Sequence, residues 1–158
     1  QTRMLDAVLD INADQPLRMV ALLERELVLA GKTVAVLGLA FKPGTDDLRE
    51  SPALALVTEL RKKGAKILAH DPIAMPHAKK RPEFQEVVFA ENWADALRES
   101  DACCLVTAWP EYRDILPTDF SRLMTRALVI DGRGVFDPAA MAAAGVVWRG
   151  VGYTPESA

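Results

Sequence analysis

Val34-Ala35-Val36-Leu37 is a short, wholly apolar run that opens straight into a charged loop, and the same succession recurs along the chain. Such a run is too short for a buried helix and suits a strand covered on both faces. Strand-like segments read at 33–38, 66–70, 85–89, 102–107, 128–130 and 146–151. Between them, helical segments read at 52–63, from Asn92 to about Glu99, and from Asp137-Pro138 through Ala144, with a short basic helix or turn at 73–81. The stretch from Trp109 to Arg126 reads as loop with short helices broken by Pro110 and Pro117. Ser51 is a good N-cap for the first of these helices, Pro52 suits its first position, and Gly64 its stop.

Alternating strands and helices predict an α/β fold: a Rossmann-like, doubly wound parallel sheet of order 3-2-1-4-5-6. Before it, residues 2 to about 28 carry apolar positions at helical spacing, including Leu5, Val8, Leu9, Met19, Val20, Leu23 and Leu27. Pro16 predicts a kink or break in that helix near 12–15. The chain begins at Gln1 within this helical run, which leads us to expect a piece of a longer protein. The expected division is 1–30 as a preceding helical segment, 31–153 as the Rossmann-like domain and 154–158 as a disordered tail.

A formal net charge of −3 argues against a module that works by neutralising a nucleic-acid backbone. It leaves room for a small phosphorylated ligand, which needs only one or two well-placed cations. No apolar run approaches a membrane span. The two cysteines, Cys103 and Cys104, are adjacent in a strand, so they are poor disulfide partners and fit a reducing cytoplasm. Core packing suits them better than nucleophilic chemistry, because a reactive thiol needs an electropositive, partly exposed site. His70 and His77 lack company for a metal site.

The first turn does not carry a dinucleotide fingerprint. Gly38 and Gly44 are present, but Phe41 and Pro43 stand between them where close approach of a pyrophosphate would need small residues. Asp71, after the second strand, stands where such folds hold a ribose, but Asp71-Pro72 also suits the start of a turn.

The loop itself is more specific. Gly38-Leu39-Ala40-Phe41-Lys42-Pro43-Gly44-Thr45-Asp46-Asp47-Leu48-Arg49-Glu50-Ser51-Pro52-Ala53-Leu54 resembles the signature of the C-terminal domain of the UDP-glucose/GDP-mannose dehydrogenase family. Three shorter matches follow in the family's order: His70-Asp71-Pro72, Leu105-Val106-Thr107-Ala108-Trp109-Pro110-Glu111-Tyr112, and Ile130-Asp131-Gly132-Arg133. Ala108 departs from the acid often found before the tryptophan, and Gly134 from the polar residue common after the arginine.

The resemblance implies an enzyme that oxidises the C6 alcohol of a nucleotide sugar to a carboxylate with two NAD⁺. It implies an N-terminal NAD domain, a central helical domain that dimerises and carries the catalytic cysteine, and a C-terminal domain that closes over the nucleotide. This chain would be that last domain with the end of the central helix, and by itself would hold no catalytic residue. UDP-glucose is the favoured ligand, with GDP-mannose or a UDP-N-acetylhexosamine as alternatives. By resemblance, Phe41 and Lys42 contact the nucleotide sugar, Arg133 meets its phosphate or ribose, and Arg49 reaches NAD across a cleft. Read from the residues alone, Lys42 also suits a solvated surface, Arg49 an ion pair with Asp46, Asp47 or Glu50, and Arg133 a pair with Asp131. Asp46 and Asp47 suit a turn better than acid–base chemistry. Trp93, Trp109 and Trp148 read as packing residues, with Trp109 open to another role beside a strand end. Outside the enzyme class, the same pattern fits a stand-alone Rossmann-like interaction module whose first 28 residues self-associate.

Overall fold

The computed structural model describes residues 15–153. Six parallel strands form one sheet in the order β3-β2-β1-β4-β5-β6. They are β1 Thr33–Leu37, β2 Lys66–His70, β3 Val88–Phe89, β4 Ala102–Leu105, β5 Leu128–Asp131 and β6 Val147–Gly150. The order is the one expected. Every residue of β4 and β5 is buried, and all of β1 after Thr33, as befits strands covered on both faces.

A helix over 15–26, α1, precedes the sheet, and Met19, Val20 and Leu23 place its apolar stripe in the common core. Pro16 lies within this described helix. The kink expected near 12–15, the helix expected from residue 2 and the tail from 154 lie outside the described residues.

Helix α2 spans Pro52–Lys62, capped by the Ser51 hydroxyl, which accepts from Ala53 N. Its buried residues, Ala53, Leu56, Val57 and Leu60, fall at one helical face. Gly64, with φ +78°, ends it as expected. After β2 comes α3, Met75–Ala78, then a 3-10 turn, Pro82–Phe84. α4, Trp93–Leu97, is capped by Asn92, and α7, Pro138–Ala143, by Asp137. The helices between β4 and β5, α5 Pro110–Arg113 and α6 Pro117–Leu123, begin at their prolines rather than being broken by them. A first-turn N–H has no partner within the helix, so proline is at home there.

The strand expected over 85–89 is cut to Val88–Phe89. Glu86 has φ +68°, a left-handed conformation that no extended strand holds. The last two expected residues of β4, Val106 and Thr107, instead turn toward β1, and both backbone N–H groups face the Leu37 carbonyl at 2.9 and 3.4 Å.

Strand order reverses between β3 and β4. Right-handed crossovers therefore set α2 on one face of the sheet and α6 and α7 on the other. The carboxyl ends of the adjacent β1 and β4 form the switch point, where open α/β sheets bind ligands.

Candidate functional site

Turns at the carboxyl edge include 38–51 after β1, 71–74 after β2, 106–109 after β4 and 132–136 after β5. The β1 turn begins with a close approach. Gly38 has φ +91°, and a Cβ there would lie 2.5 Å from Thr107 Cβ and 2.6 Å from Thr107 N. The Thr107 hydroxyl donates to the Ala40 carbonyl at 2.6 Å, and the Ser51 hydroxyl donates to the Leu39 carbonyl at 2.6 Å. The loop is thus fastened at both ends before its exposed tip. At that tip stand Phe41, 47% exposed, and Lys42, also exposed. An apolar ring and a cation are presented side by side at the switch point.

Arg133 follows β5. Its backbone N–H donates to Asp131 Oδ1, while its guanidinium Nε donates to the Val106 carbonyl at the end of β4. The expected pairing of its side chain with Asp131 is therefore not made. Val106 N in turn donates to Leu37, the last residue of β1. The guanidinium thus reaches the end of β4, and the residue remains exposed.

Arg49 lies on the outer flank of the same loop. It grips Asp47 through Nε at 3.0 Å and Nη2 at 2.9 Å, one of the pairings expected for it. This contact holds the exposed Asp47 carboxyl down to about 2. Asp47 also accepts from Arg49 N, and its own N–H donates to the Thr45 hydroxyl, so the acid builds the turn. Beside it, His77 Nδ1 lies 3.2 Å from Asp46 Oδ2. Asp46, Asp47, Arg49, His77, Lys80 and Arg81 border an open depression of about 580 Å³. Phe41, Lys42 and Arg133 are not among the residues lining it. The edge therefore presents Lys42 and Arg133 at its centre and Arg49 to one side.

Two buried carboxylates support these turns, and of their work the sequence suggested only the turn that starts at Asp71. Asp71, with no exposed surface, accepts from Leu39 N at 2.7 Å, Ala40 N at 3.0 Å and Trp109 Nε1 at 3.0 Å through Oδ2. Through Oδ1 it accepts from Ile73 N at 2.9 Å and Ala74 N at 2.7 Å, the turn-starting role the sequence suggested. Asp131, also fully buried, accepts from the N–H groups of Arg133, Gly134, Val135 and Phe136 at 2.8–3.0 Å and from Trp148 Nε1 at 3.4 Å. Asp131 ends the apolar run of β5 and Asp71 directly follows β2, and an acid at a strand end was the available signal. Trp109 and Trp148 both turn their polar tips onto these acids, so they are packing residues with a fixed hydrogen bond.

His70 is held beside this network. The Tyr112 hydroxyl donates to the His70 carbonyl at 2.9 Å and lies 3.0 Å from Nδ1. The hydroxyl's single proton is engaged, so Nδ1 carries the proton of that second bond. Burial lowers the pKa of His70, with Asp71 opposing, and raises that of Glu111, whose Oε1 lies 3.7 Å from Nδ1. Both cysteines are fully buried in β4. Desolvation pushes Cys104 up to about 12 and Cys103 well above its ordinary value, so neither is a nucleophile here. Among the described residues no group of three or more His, Cys, Asp and Glu could hold a metal ion.

The residues do not fit a dinucleotide at the first turn. The amides that would meet a pyrophosphate are already bonded to Asp71, and Asp71 has no exposed surface with which to hold a ribose.

Residues 35–138 match the UDP binding domain of the UDP-glucose/GDP-mannose dehydrogenase family. The chain belongs to this family. It is 43% identical over 135 residues to a UDP-glucose 6-dehydrogenase of Haloferax volcanii, covering 85% of this chain and 30% of that protein. A UDP-glucose 6-dehydrogenase of Bacillus subtilis is 36% identical over 151 residues, covering 95% and 32%. Among solved structures, a UDP-glucose dehydrogenase from Pyrobaculum islandicum superposes with a TM-score of 0.74 at 35% identity, covering 91% of this chain and 32% of that one. An NDP-N-acetyl-D-galactosaminuronic acid dehydrogenase from Methanosarcina mazei gives 0.78 at 29%, covering 90% and 30%. The Rossmann-like fold and the family expected from the loop are both borne out. The chain spans about 30% of the length of the relatives it matches. No described helix is long and apolar enough to cross a membrane.

Proposed function

We propose that this chain is the nucleotide-sugar-binding domain of an NAD-dependent UDP-glucose 6-dehydrogenase. In the longer protein, the sugar's C6 alcohol is oxidised to a carboxylate while two NAD⁺ accept the hydrides. This domain binds and orients the nucleotide sugar and closes over it, a share of catalysis that lies in positioning. The supporting observation is the family's signature loop at the switch point, fastened at both ends with Phe41 and Lys42 at its tip.

In this reading Lys42 meets the diphosphate or a polar sugar edge, and Phe41 covers the ligand. Arg133 supplies a planar fork for phosphate or ribose. Arg49, on the flank, reaches NAD held by a separate N-terminal domain, exchanging its bond to Asp47 for that contact. In the longer protein, residues 31–153 form the nucleotide-sugar domain, and a central domain that dimerises carries the catalytic cysteine. The setting is cytoplasmic.

An N-acetylhexosamine nucleotide is the second reading, supported by the likeness to the Methanosarcina mazei enzyme. Calorimetric titration of the full-length protein decides between them. UDP-glucose binding more tightly than GDP-mannose and the UDP-N-acetylhexosamines supports the first reading. Preference for an N-acetyl ligand supports the second, and binding of none refutes both.

A further inference from the structure

Asp71 joins three of the edge turns, those after β1, β2 and β4. Its Oδ2 takes Leu39 N and Ala40 N from the β1 turn and the Trp109 indole from the β4 turn, and its Oδ1 takes Ile73 N and Ala74 N of its own turn. All five partners are N–H donors. Only a carboxylate accepts at both oxygens, so the side chain matches the cradle in charge and in hydrogen-bond sense. Among the described residues no cation pairs with it. Oriented N–H dipoles alone balance a fully buried charge.

Successive amides at the end of the first strand are where a Rossmann fold receives a ligand's pyrophosphate. We propose that Asp71 is the domain's own anion, filling that cradle so that ligand phosphates are kept out of it and the turn bearing Phe41 and Lys42 is held in place to meet them. Asp71 is thus a positioning residue, acting through backbone amides rather than by touching the ligand. The β4 turn it fixes through Trp109 also carries Val106, whose carbonyl holds the Arg133 guanidinium. One carboxylate therefore sets the spacing of both cations. The role in gripping rests on the nucleotide-sugar reading above; the filling of the cradle does not.

Two variants of the full-length enzyme test this. Asp71→Ala empties the cradle and leaves five donors facing a space that formate fits. Asp71→Asn fills it with an amide whose NH₂ confronts N–H donors whichever way it turns. UDP-glucose affinity, the NAD KM, kcat and thermal melting are measured in sodium formate and in sodium chloride of equal ionic strength.

Asp71→Ala is expected to bind UDP-glucose about tenfold or more weakly, as for a lost set of charge-assisted bonds, with smaller losses in kcat at saturating UDP-glucose and in the NAD KM. Formate, and not chloride, restores its affinity and melting temperature; Asp71→Asn shows the same loss without rescue. Folding of Asp71→Ala only when formate is present also supports the proposal. Unchanged UDP-glucose affinity in a folded Asp71→Asn, or a loss in Asp71→Ala that formate and chloride affect alike, overturns it. Failure of the wild-type enzyme to bind any nucleotide sugar removes the gripping role, while formate-dependent melting of Asp71→Ala still decides whether the cradle needs an anion.

Discussion

Gly38 and Thr107 touch where β1 and β4 hand over to their turns: a Cβ at residue 38 would stand 2.5 Å from Thr107 Cβ. Gly38 also has φ +91°, so a side chain there meets both backbone strain and a collision with main-chain atoms. Gly38→Ala is expected to destabilise the protein by about 2–5 kcal/mol, the sum of a strained left-handed residue and an overpacked contact. Gly134→Ala is the control, because φ is +64° but the space around it is open. It should cost only about 1–2 kcal/mol. Urea unfolding of the two variants measures the difference, and equal losses would deny the close approach its importance.

His70 gives stability a dependence on pH. Burial lowers its folded-state pKa below the ordinary 6.5, so the unfolded chain takes up a proton that the folded chain refuses. Its contribution is fully present above 6.5 and is lost as pH falls through the folded value. The groups facing it are Glu111, Tyr112 and Asp71, and Glu111, whose pKa burial raises, titrates with the opposite sign. The melting temperature should therefore fall between pH 7.5 and about 5.5, and His70→Gln should flatten that slope. An unchanged slope in His70→Gln would assign the dependence to another group.

Cys103 and Cys104 should be inert in the folded protein. Both are fully buried with thiols pushed toward the neutral form. Peptide mapping after treatment with a thiol reagent should find both unlabelled in native buffer and both labelled in denaturant. Labelling of either in the native state would contradict its place in the core.

Strand order, the helix starts after Ser51, Asn92 and Asp137, and the family of the signature loop were legible in the sequence. Buried strands read as apolar runs, and Ser51, Asn92 and Asp137 announce the helices they cap. The extent of β3 was not legible, since nothing in Gln85–Phe89 marks Glu86 as left-handed. Pro110 and Pro117 read in the sequence as breaks, whereas each stands at the first position of a helix. The work of Asp71 and Asp131 was hidden for a different reason. Their partners converge from turns far apart in the chain, as Trp109 does on Asp71, and only the folded sheet brings them together. Arg133 similarly bonds Val106 rather than its sequence neighbour Asp131 through its side chain.

Lys42→Ala in the full-length enzyme should weaken UDP-glucose binding by about 1–3 kcal/mol, the range for a charge-assisted contact. Arg133→Lys should also weaken it, because a point charge does not replace a planar fork. Calorimetry reads both, and wild-type affinity in Lys42→Ala would remove that residue from the site.

The most direct test is a crystal structure of the full-length protein with UDP-glucose bound. The expected result has Lys42 Nζ and the Arg133 guanidinium on opposite sides of the ligand, each about 2.7–3.2 Å from its phosphate, ribose or sugar oxygens, with Asp71 still holding Leu39 and Ala40. A nucleotide sugar bound elsewhere, with the tip at Phe41 and Lys42 facing bulk water, would contradict it.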